Sequence, residues 1–484
     1  MQDLIATRRD GATPAPSSPT TSAGGALAGL ALATLLSSLG TSVANVGLPA
    51  LADAFAAPFP HVQWVVLAYL LAITASIVVV GRLGDAAGRR RVLLAGIALF
   101  GVASLACGLA PSLGVLIAAR AVQGVGAAVM MALAMAMVGE TVPREKIGRA
   151  MGVLGTTSAV GTALGPSVGG LLIGGFGWRA MFLALVPLGV AALHLAYRFL
   201  PADRPRTPVD RPGFDPAGTV VLAITLTAYA LAMTRGRGSL GPLDAALFLA
   251  AVAGAALFVR VEARVAAPLI RLATLRDPLL RASVATSALV STVMMATLVV
   301  GPFYLARSLG LDAVLVGLVV SVGPVVVALA GVPAGRIVDR LGARRMGVAG
   351  LAGVTAGCTL LAALPVTLGI VGYVVPIVVV TAGYALFQTA NNTAVMADVA
   401  PDQRGVISGL VSLSRNLGLV TGASAMGMVF GVASGAADVA SASADAVATG
   451  MRATFAVAAL LIAIALAIAL ASRAPASRRP ASST

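Results

Sequence analysis

Residues 81–91 read GRLGDAAGRRR, and residues 335–345 read GRIVDRLGARR. Laid on one another, the two stretches match at Gly81/Gly335, Arg82/Arg336, Asp85/Asp339, Gly88/Gly342, Arg90/Arg344 and Arg91/Arg345, an offset of 254 residues. Both sit between long apolar runs in a chain of which only 11% is charged. A repeat this far apart implies two related halves, and its charge marks the same kind of turn in each.

The surrounding composition says where such turns lie. The chain has 484 residues, is 58% hydrophobic and has a mean hydropathy of +0.97, so a soluble domain could not keep its surface wet. Small and aliphatic residues dominate and only 4% are aromatic, which suits helices packed closely in lipid. A membrane barrel would need apolar/polar alternation instead. The net charge of +15 does not point to nucleic acid, because the basic residues come in short bursts between apolar runs of about 20 residues. Lys146 is the single lysine; the arginine preference fits a GC-rich genome.

Several function classes are excluded. Cys107 and Cys358 lie deep in apolar runs and read as packing residues without redox chemistry. His61 and His194 are far apart, no Cys/His metal spacing exists, and no phosphate-binding GxxxxGK[ST] loop occurs. The expectation is neither an enzyme nor an ATP-driven pump, with no metal and no cofactor.

Apolar runs give fourteen spans, at 26–49, 64–83, 91–110, 112–139, 147–173, 178–199, 216–234, 243–260, 280–305, 313–337, 346–364, 368–396, 405–432 and 450–471. An even number puts both ends on one side. With the ends cytoplasmic, 26 of the 33 basic residues fall in inner loops and tails, and five outside, leaving Arg120 and Arg415 within spans. The polar start, residues 1–25, reads as a disordered cytoplasmic tail, and 472–484 as a second tail. A six-span bundle over 26–200 and another over 280–471 then flank a linker, 201–279, carrying a two-span insert at 216–260. Two parallel six-span halves around a central axis are the plan of a secondary carrier with its site near the bilayer midplane.

With these residues in view, the chain resembles the major facilitator superfamily, and its fourteen-helix form resembles the drug:proton antiporter group. GRLGDAAGRRR is similar to the family's loop signature between helices two and three, and GRIVDRLGARR to its second-half echo. LIAARAVQGVGAA (116–128) resembles the fourth-helix pattern and GTTSAVGTALGPSVGG (155–170) the fifth-helix antiporter pattern. LGTSVANVGLP (39–49) and GWRAMF (177–182) complete the ordered set. The resemblance implies an all-α integral membrane fold of two six-helix bundles plus a two-helix insert. It also implies alternating-access export of small amphipathic compounds, with protons as a possible counter-substrate and a monomer in the bacterial cytoplasmic membrane.

The residues themselves suggest roles. Gly81, Gly88 and their echoes let helices turn within a few residues, while Asp85 can cap a helix or pair with arginines. The resemblance assigns Gly81, Asp85, Gly88, Arg89, Arg90, Asp339 and Arg344 to a conformational latch. Gly161, Gly165, Pro166 and Gly169 give the fifth span a smooth face and a kink, the marks of a gating helix in the family. Arg120 and Arg415 lie deep in spans, where a charge is costly unless it faces a cavity or a partner. Around them, Thr41, Ser42, Asn45, Gln123, Gln388, Asn391, Asn392 and Asn416 complete the expected substrate cavity.

One departure from the family bears on mechanism. The group usually carries an aspartate in the first helix, and Gly40 stands there. All eighteen acids fall in tails, loops or near span ends, so no carboxylate remains at a span centre to relay protons. The alternative reading is therefore an uncoupled or lipid-type carrier. Arginines in place of buried acids favour neutral, zwitterionic or anionic substrates over cations.

Overall fold

The computed structural model describes residues 23–142, 147–203, 216–235, 241–265, 277–396, 404–435 and 442–472. Among them there are helices and no strands. The membrane-crossing helices are α1 (Ala23–Val46), α2 (Trp64–Ala87), α3 (Arg89–Gly108), α4 (Leu113–Thr141), α5 (Ile147–Phe176), α6 (Trp178–Phe199), α7 (Pro216–Arg235) and α8 (Pro242–Glu262). They continue with α9 (Pro278–Ser308), α10 (Ala313–Leu341), α11 (Ala343–Ala363), α12 (Gly369–Met396), α13 (Arg404–Thr421, extended by Gly422–Met426 and Gly427–Ala433) and α14 (Ala444–Ala471). Thirteen described helices are long and apolar enough to cross a membrane, and α7 supplies the shorter apolar segment Val220–Ala232. The fourteen-helix plan follows. The tails, 1–22 and 473–484, and most of the linker lie outside the described residues.

The repeated stretches form single-residue turns between helices. Only Gly88 separates α2 from α3, with φ 101° and ψ 123°; only Gly342 separates α10 from α11, with φ 87° and ψ 137°. Such a φ is closed to residues with a side chain, so the glycine is required twice for the same reason. The following helix therefore starts on the arginines, and α11 begins three residues earlier than its apolar run at 346 suggests. Eight crossings, α3 through α10, separate Gly88 from Gly342, which puts both turns on one side of the molecule, called here the hairpin face.

Elsewhere, helix starts are set by short polar side chains. Ser112, Asp277, Asp312 and Ser443 accept from backbone N–H groups at the starts of α4, α9, α10 and α14. Within the spans, serine and threonine hydroxyls turn back onto the carbonyl four residues earlier, as Thr34, Ser104, Thr381 and Thr454 do. This satisfies polar groups where lipid offers no partner. The burial pattern fits a lipid solvent: Leu329, Val371 and Leu249 are exposed, whereas Ser37, Asn45, Arg120 and Gln123 are fully buried.

The first bundle closes through α1 on α5 and α2 on α4, and the second through α11 on α12 and α9 on α13. Between bundles, the broadest seam is α5 against α10. The insert packs onto both bundles. Its first helix, α7, lies against α2 of one bundle and α13 of the other, and the Tyr229 hydroxyl meets the side chains of Thr421 and Ser424. A half-apolar helix with one tyrosine is enough to cover the join between halves, a role that apolarity alone does not announce.

Candidate functional site

Arg120 of α4 has an unusual setting. It is 0% exposed, and its Nε–H donates to the Val65 carbonyl at 2.8 Å. One terminal nitrogen donates to the Gly40 carbonyl at 3.0 Å and to Gln123 Oε1. The guanidinium also stacks 4.1 Å from the Tyr69 ring centre, with Phe182 beyond at 5.8 Å. Gln123 passes the network on by donating to Ser104 Oγ at 2.7 Å. A guanidinium stays charged at any accessible pH, so carbonyl dipoles and a ring quadrupole here replace a carboxylate. Arg120 thereby ties α1, α2 and α4 together inside one bundle. It does not reach the space between bundles, which corrects the expectation that Arg120 and Gln123 face the substrate.

Gly40 explains why no acid is found beside it. A Cβ there would lie 2.8 Å from the Tyr69 hydroxyl oxygen and 3.0 Å from Phe100 Cζ. Tyr69 in turn donates its hydroxyl to the Ser37 carbonyl at 2.8 Å. The place of a first-helix aspartate is filled by two aromatic side chains.

The central cavity lies between the bundles and has a volume of about 310 Å³. Its wall is contributed by α1, α2, α4 and α5 from one half and α9, α10, α12 and α13 from the other. Hydroxyls from Ser37, Thr41, Ser158, Thr162, Ser291 and Thr381 share it with Met131, Met294, Met295, Tyr373 and Tyr384. Flexible thioethers and aromatic faces with scattered hydroxyls accommodate varied amphipathic molecules. The one charged residue in the lining is Arg415, with Asn416 beside it, and no described residue forms an ion pair with it. Arg415 is half-buried, whereas Arg120 is sealed.

Of the expected cavity residues, Thr41, Arg415 and Asn416 line this space and the others do not. Ser42 is buried between helices, donating to the carbonyls of Ser38 at 3.0 Å and Gly161 at 3.2 Å. Asn45 donates back to Thr41 O at 3.0 Å. Gln388 is half-buried in α12 but outside the cavity lining. Asn391 and Asn392 stand near the hairpin-face end of α12, Asn391 buried and Asn392 exposed. These polar residues of the twelfth span gather toward its hairpin-face end.

The contacts that close the cavity lie on the side away from the hairpins. There Arg307 pairs with Asp53, and Gln63 donates to the Ala423 carbonyl. Asp53 and Arg307 are themselves separated by the repeat offset of 254, so repeat-equivalent positions meet across the join. Phe59 meets Phe303 edge-on at 4.8 Å and Phe430 at 5.4 Å, plugging the centre. Ser167 of α5 donates to Ser321 of α10 at 2.6 Å. The hydrogen bonds Gln63–Ala423, Ser167–Ser321 and Asp53–Arg307 between the two six-helix halves are all on this side.

The gating-helix residues serve two seams. Gly161, Gly165 and Gly169 face α1, and a Cβ on Gly165 would fall 1.8 Å from Ser42 Oγ. The Pro166 carbonyl faces α10, where a Cβ on Gly317 would lie 2.4 Å from Pro166 O. Close backbone approach between halves therefore needs both the bend and the small residues.

Of the latch residues, Gly88, Arg89 and Arg90 make contacts within their own half. Asp203, just beyond α6, accepts from the backbone N–H of Arg90 at 2.8 Å and of Arg91 at 3.1 Å. A Cβ on Gly88 would sit 2.4 Å from that carboxylate. Arg89 pairs with Glu140 of α4 at 2.8 Å, and Arg90 donates to Tyr197 O at 2.6 Å while lying over its ring. Gly81 and Asp85 fall in the closing turns of α2, their side chains outside the described residues. Asp339 is exposed near the end of α10, and Arg344 borders a small separate cavity. The sequence reading missed Asp203, whose signal is a lone acid four residues past a span end, opposite a Gly-Arg-Arg helix start.

Comparison with known proteins accords with this geometry. The family model described as Major Facilitator Superfamily matches residues 30–423. An uncharacterized transporter of Escherichia coli, YebQ, is 32% identical over 407 residues, covering 84% of this chain and 88% of that protein. The multidrug efflux pump LfrA of Mycolicibacterium smegmatis is 31% identical over 420 residues (86% and 83%), and the riboflavin transporter RibZ of Clostridioides difficile is 28% identical over 396 (81% and 85%). Among solved structures, a bacterial homolog of the human lysosomal transporter Spinster aligns with a TM-score of 0.69 at 17% identity, over 94% of this chain and 98% of that one. On the family match and the relative in E. coli, the chain belongs to the Major Facilitator Superfamily.

Proposed function

We propose that this transporter exports small neutral or anionic amphipathic compounds across a bacterial cytoplasmic membrane by alternating access, with Arg415 as the charge that selects them. The observation that carries this reading is the cavity's electrostatics: one guanidinium, many hydroxyls and no acid among its described lining residues. A carboxylate-free, partly desolvated site repels organic cations and gains from a substrate carboxylate, sulfonate or ring carbonyl. Multidrug efflux among the relatives supports the export direction.

In this reading the arginine-rich hairpin face is cytoplasmic and carries both termini, so the closed Asp53–Arg307 and Phe59 side is external. The cavity then takes substrate from the cytoplasm, and release needs that outer closure to part as the hairpin ends approach. The protein works as a monomer.

Coupling has a second reading. With the Gly40 site filled by Tyr69 and Phe100, protons would have to act at an interfacial acid, of which Asp53 is the one in a closure contact. An uncoupled carrier is the alternative favoured by the same observation.

Uptake into inverted vesicles of size-matched anionic, neutral and cationic fluorophores tests the proposal, with and without a collapsed pH gradient. Accumulation of the anionic and neutral probes with exclusion of the cation is the expected result. Equal transport of the cation would overturn the assigned substrate class, and indifference to the gradient would select the uncoupled reading.

A further inference from the structure

The two hairpin ends are built alike but filled differently. In the first half, the start of α3 is occupied by the Asp203 carboxylate, Arg90 reaches the Tyr197 carbonyl, and the Phe199 ring lies where a Cβ on Gly25 would be, 2.6 Å away. In the second half the corresponding space, between the starts of α9 and α11 and the ends of α12 and α14, holds a cavity of about 70 Å³. Residues 472–484, SRAPASRRPASST, contain no acid to play the part of Asp203.

Inside that cavity one buried group lacks a partner. Asn391 is 9% exposed and accepts from Ser283 Oγ at 2.8 Å through Oδ1, while its Nδ2 donates to nothing. The neighbouring hydroxyl protons are already committed, Thr286 to the Ala282 carbonyl at 2.8 Å and Ser472 to the Ala469 carbonyl at 3.1 Å. A buried amide N–H is costly to leave unpaired. Arg344 and the first turn of α11 border the same space, adding a full and a partial positive charge. A volume of about 70 Å³ equals roughly five water sites, enough for a phosphate group.

We infer that this cavity binds a phosphate-bearing anion, held by Asn391 Nδ2, the start of α11 and Arg344, in the place that Asp203 fills in the other half. Its position at the ends of four spans is the headgroup level of the bilayer, so a phospholipid phosphodiester and free inorganic phosphate share the required chemistry. The site is separate from the central cavity and does not rest on the transport reading.

The test uses the full chain, delipidated in a neutral detergent, with thermal unfolding as readout. Inorganic phosphate, chloride at matched ionic strength, phosphatidylglycerol and phosphatidylcholine are titrated separately. The proposal predicts that phosphatidylglycerol or phosphate raises the midpoint beyond chloride, and that Asn391→Asp weakens the half-saturation at least about tenfold, equivalent to about 1.4 kcal/mol. Arg344→Gln is predicted to weaken it too; Arg91→Gln, the charge-matched change in the filled half, is predicted to leave it unaltered. A phosphatidylglycerol response alone identifies a lipid site, and equal responses identify a free-anion site. No response beyond chloride, or an Asn391→Asp curve matching the unmodified chain with Arg344→Gln also unchanged, overturns it.

Discussion

Two arginines lie deep inside the spans of this transporter, well away from the helix ends, and they are put to opposite uses. Arg120 is sealed in one bundle and spends its donors on the carbonyls of Val65 and Gly40 and on Gln123. Arg415 stands in the wall of the central cavity, half-buried, without an ion-pair partner among the described residues. The difference teaches that depth in a span does not by itself mark a substrate site. What distinguishes the two is how many backbone carbonyls and aromatic faces converge on the guanidinium: several around Arg120, and around Arg415 an open volume.

The largest effect that would break this comparison is on folding. Arg120→Leu removes three hydrogen bonds from a charged donor, to Val65 O, Gly40 O and Gln123 Oε1, each worth about 1.5–3 kcal/mol before the relief of no longer burying the charge. The expected loss is about 3–5 kcal/mol, read as a collapse in the unfolding midpoint of purified protein in detergent. A variant with an unaltered midpoint would mean that Arg120 is not the tie between α1, α2 and α4.

Gly40→Asp sharpens the same point with a smaller effect. The new carboxylate would sit near Arg120, but its Cβ must displace Tyr69 and Phe100, and overpacking a tight core costs about 1–3 kcal/mol. A lower midpoint without new proton dependence in vesicle transport is expected. A stable variant that becomes strictly gradient-dependent would show that the aromatic pair yields easily and that the missing acid alone had abolished coupling.

Smaller still is Asp53→Asn at the outer closure. The pair is partly exposed, with Asp53 at 60% and Arg307 at 29%, so its worth is at most about 1 kcal/mol. That is enough to change the open population severalfold. Faster labelling of a Thr41→Cys cavity thiol by a membrane-impermeant maleimide from the external side is expected, and unchanged labelling would place the closure in the Phe59, Phe303 and Phe430 cluster alone.

The fold was legible because its signals are periodic and repeated. Apolar runs located the fourteen helices, and GRLGDAAGRRR with its echo located the single-glycine turns at Gly88 and Gly342. The site was legible only in part. Thr41, Arg415 and Asn416 could be picked as polar residues in apolar runs, yet Arg120, Gln123 and Asn45 carry the same signature and are consumed by local hydrogen bonds. Which side of a helix faces the central space depends on packing angles that a run of alanine and valine does not encode. Asp203 and Tyr229 were missed for a related reason: each acts on a helix distant in sequence.

Equilibrium binding of an anionic amphipathic fluorophore to purified protein tests the central claim most directly, comparing the unmodified chain with Arg415→Gln. A lone charge in a cavity contributes about 1.5–3 kcal/mol through a charge-assisted hydrogen bond and little to folding. The account predicts at least about a tenfold loss of affinity with an unfolding midpoint unchanged and neutral-probe binding intact. Equal affinity for the anion in both proteins would contradict it.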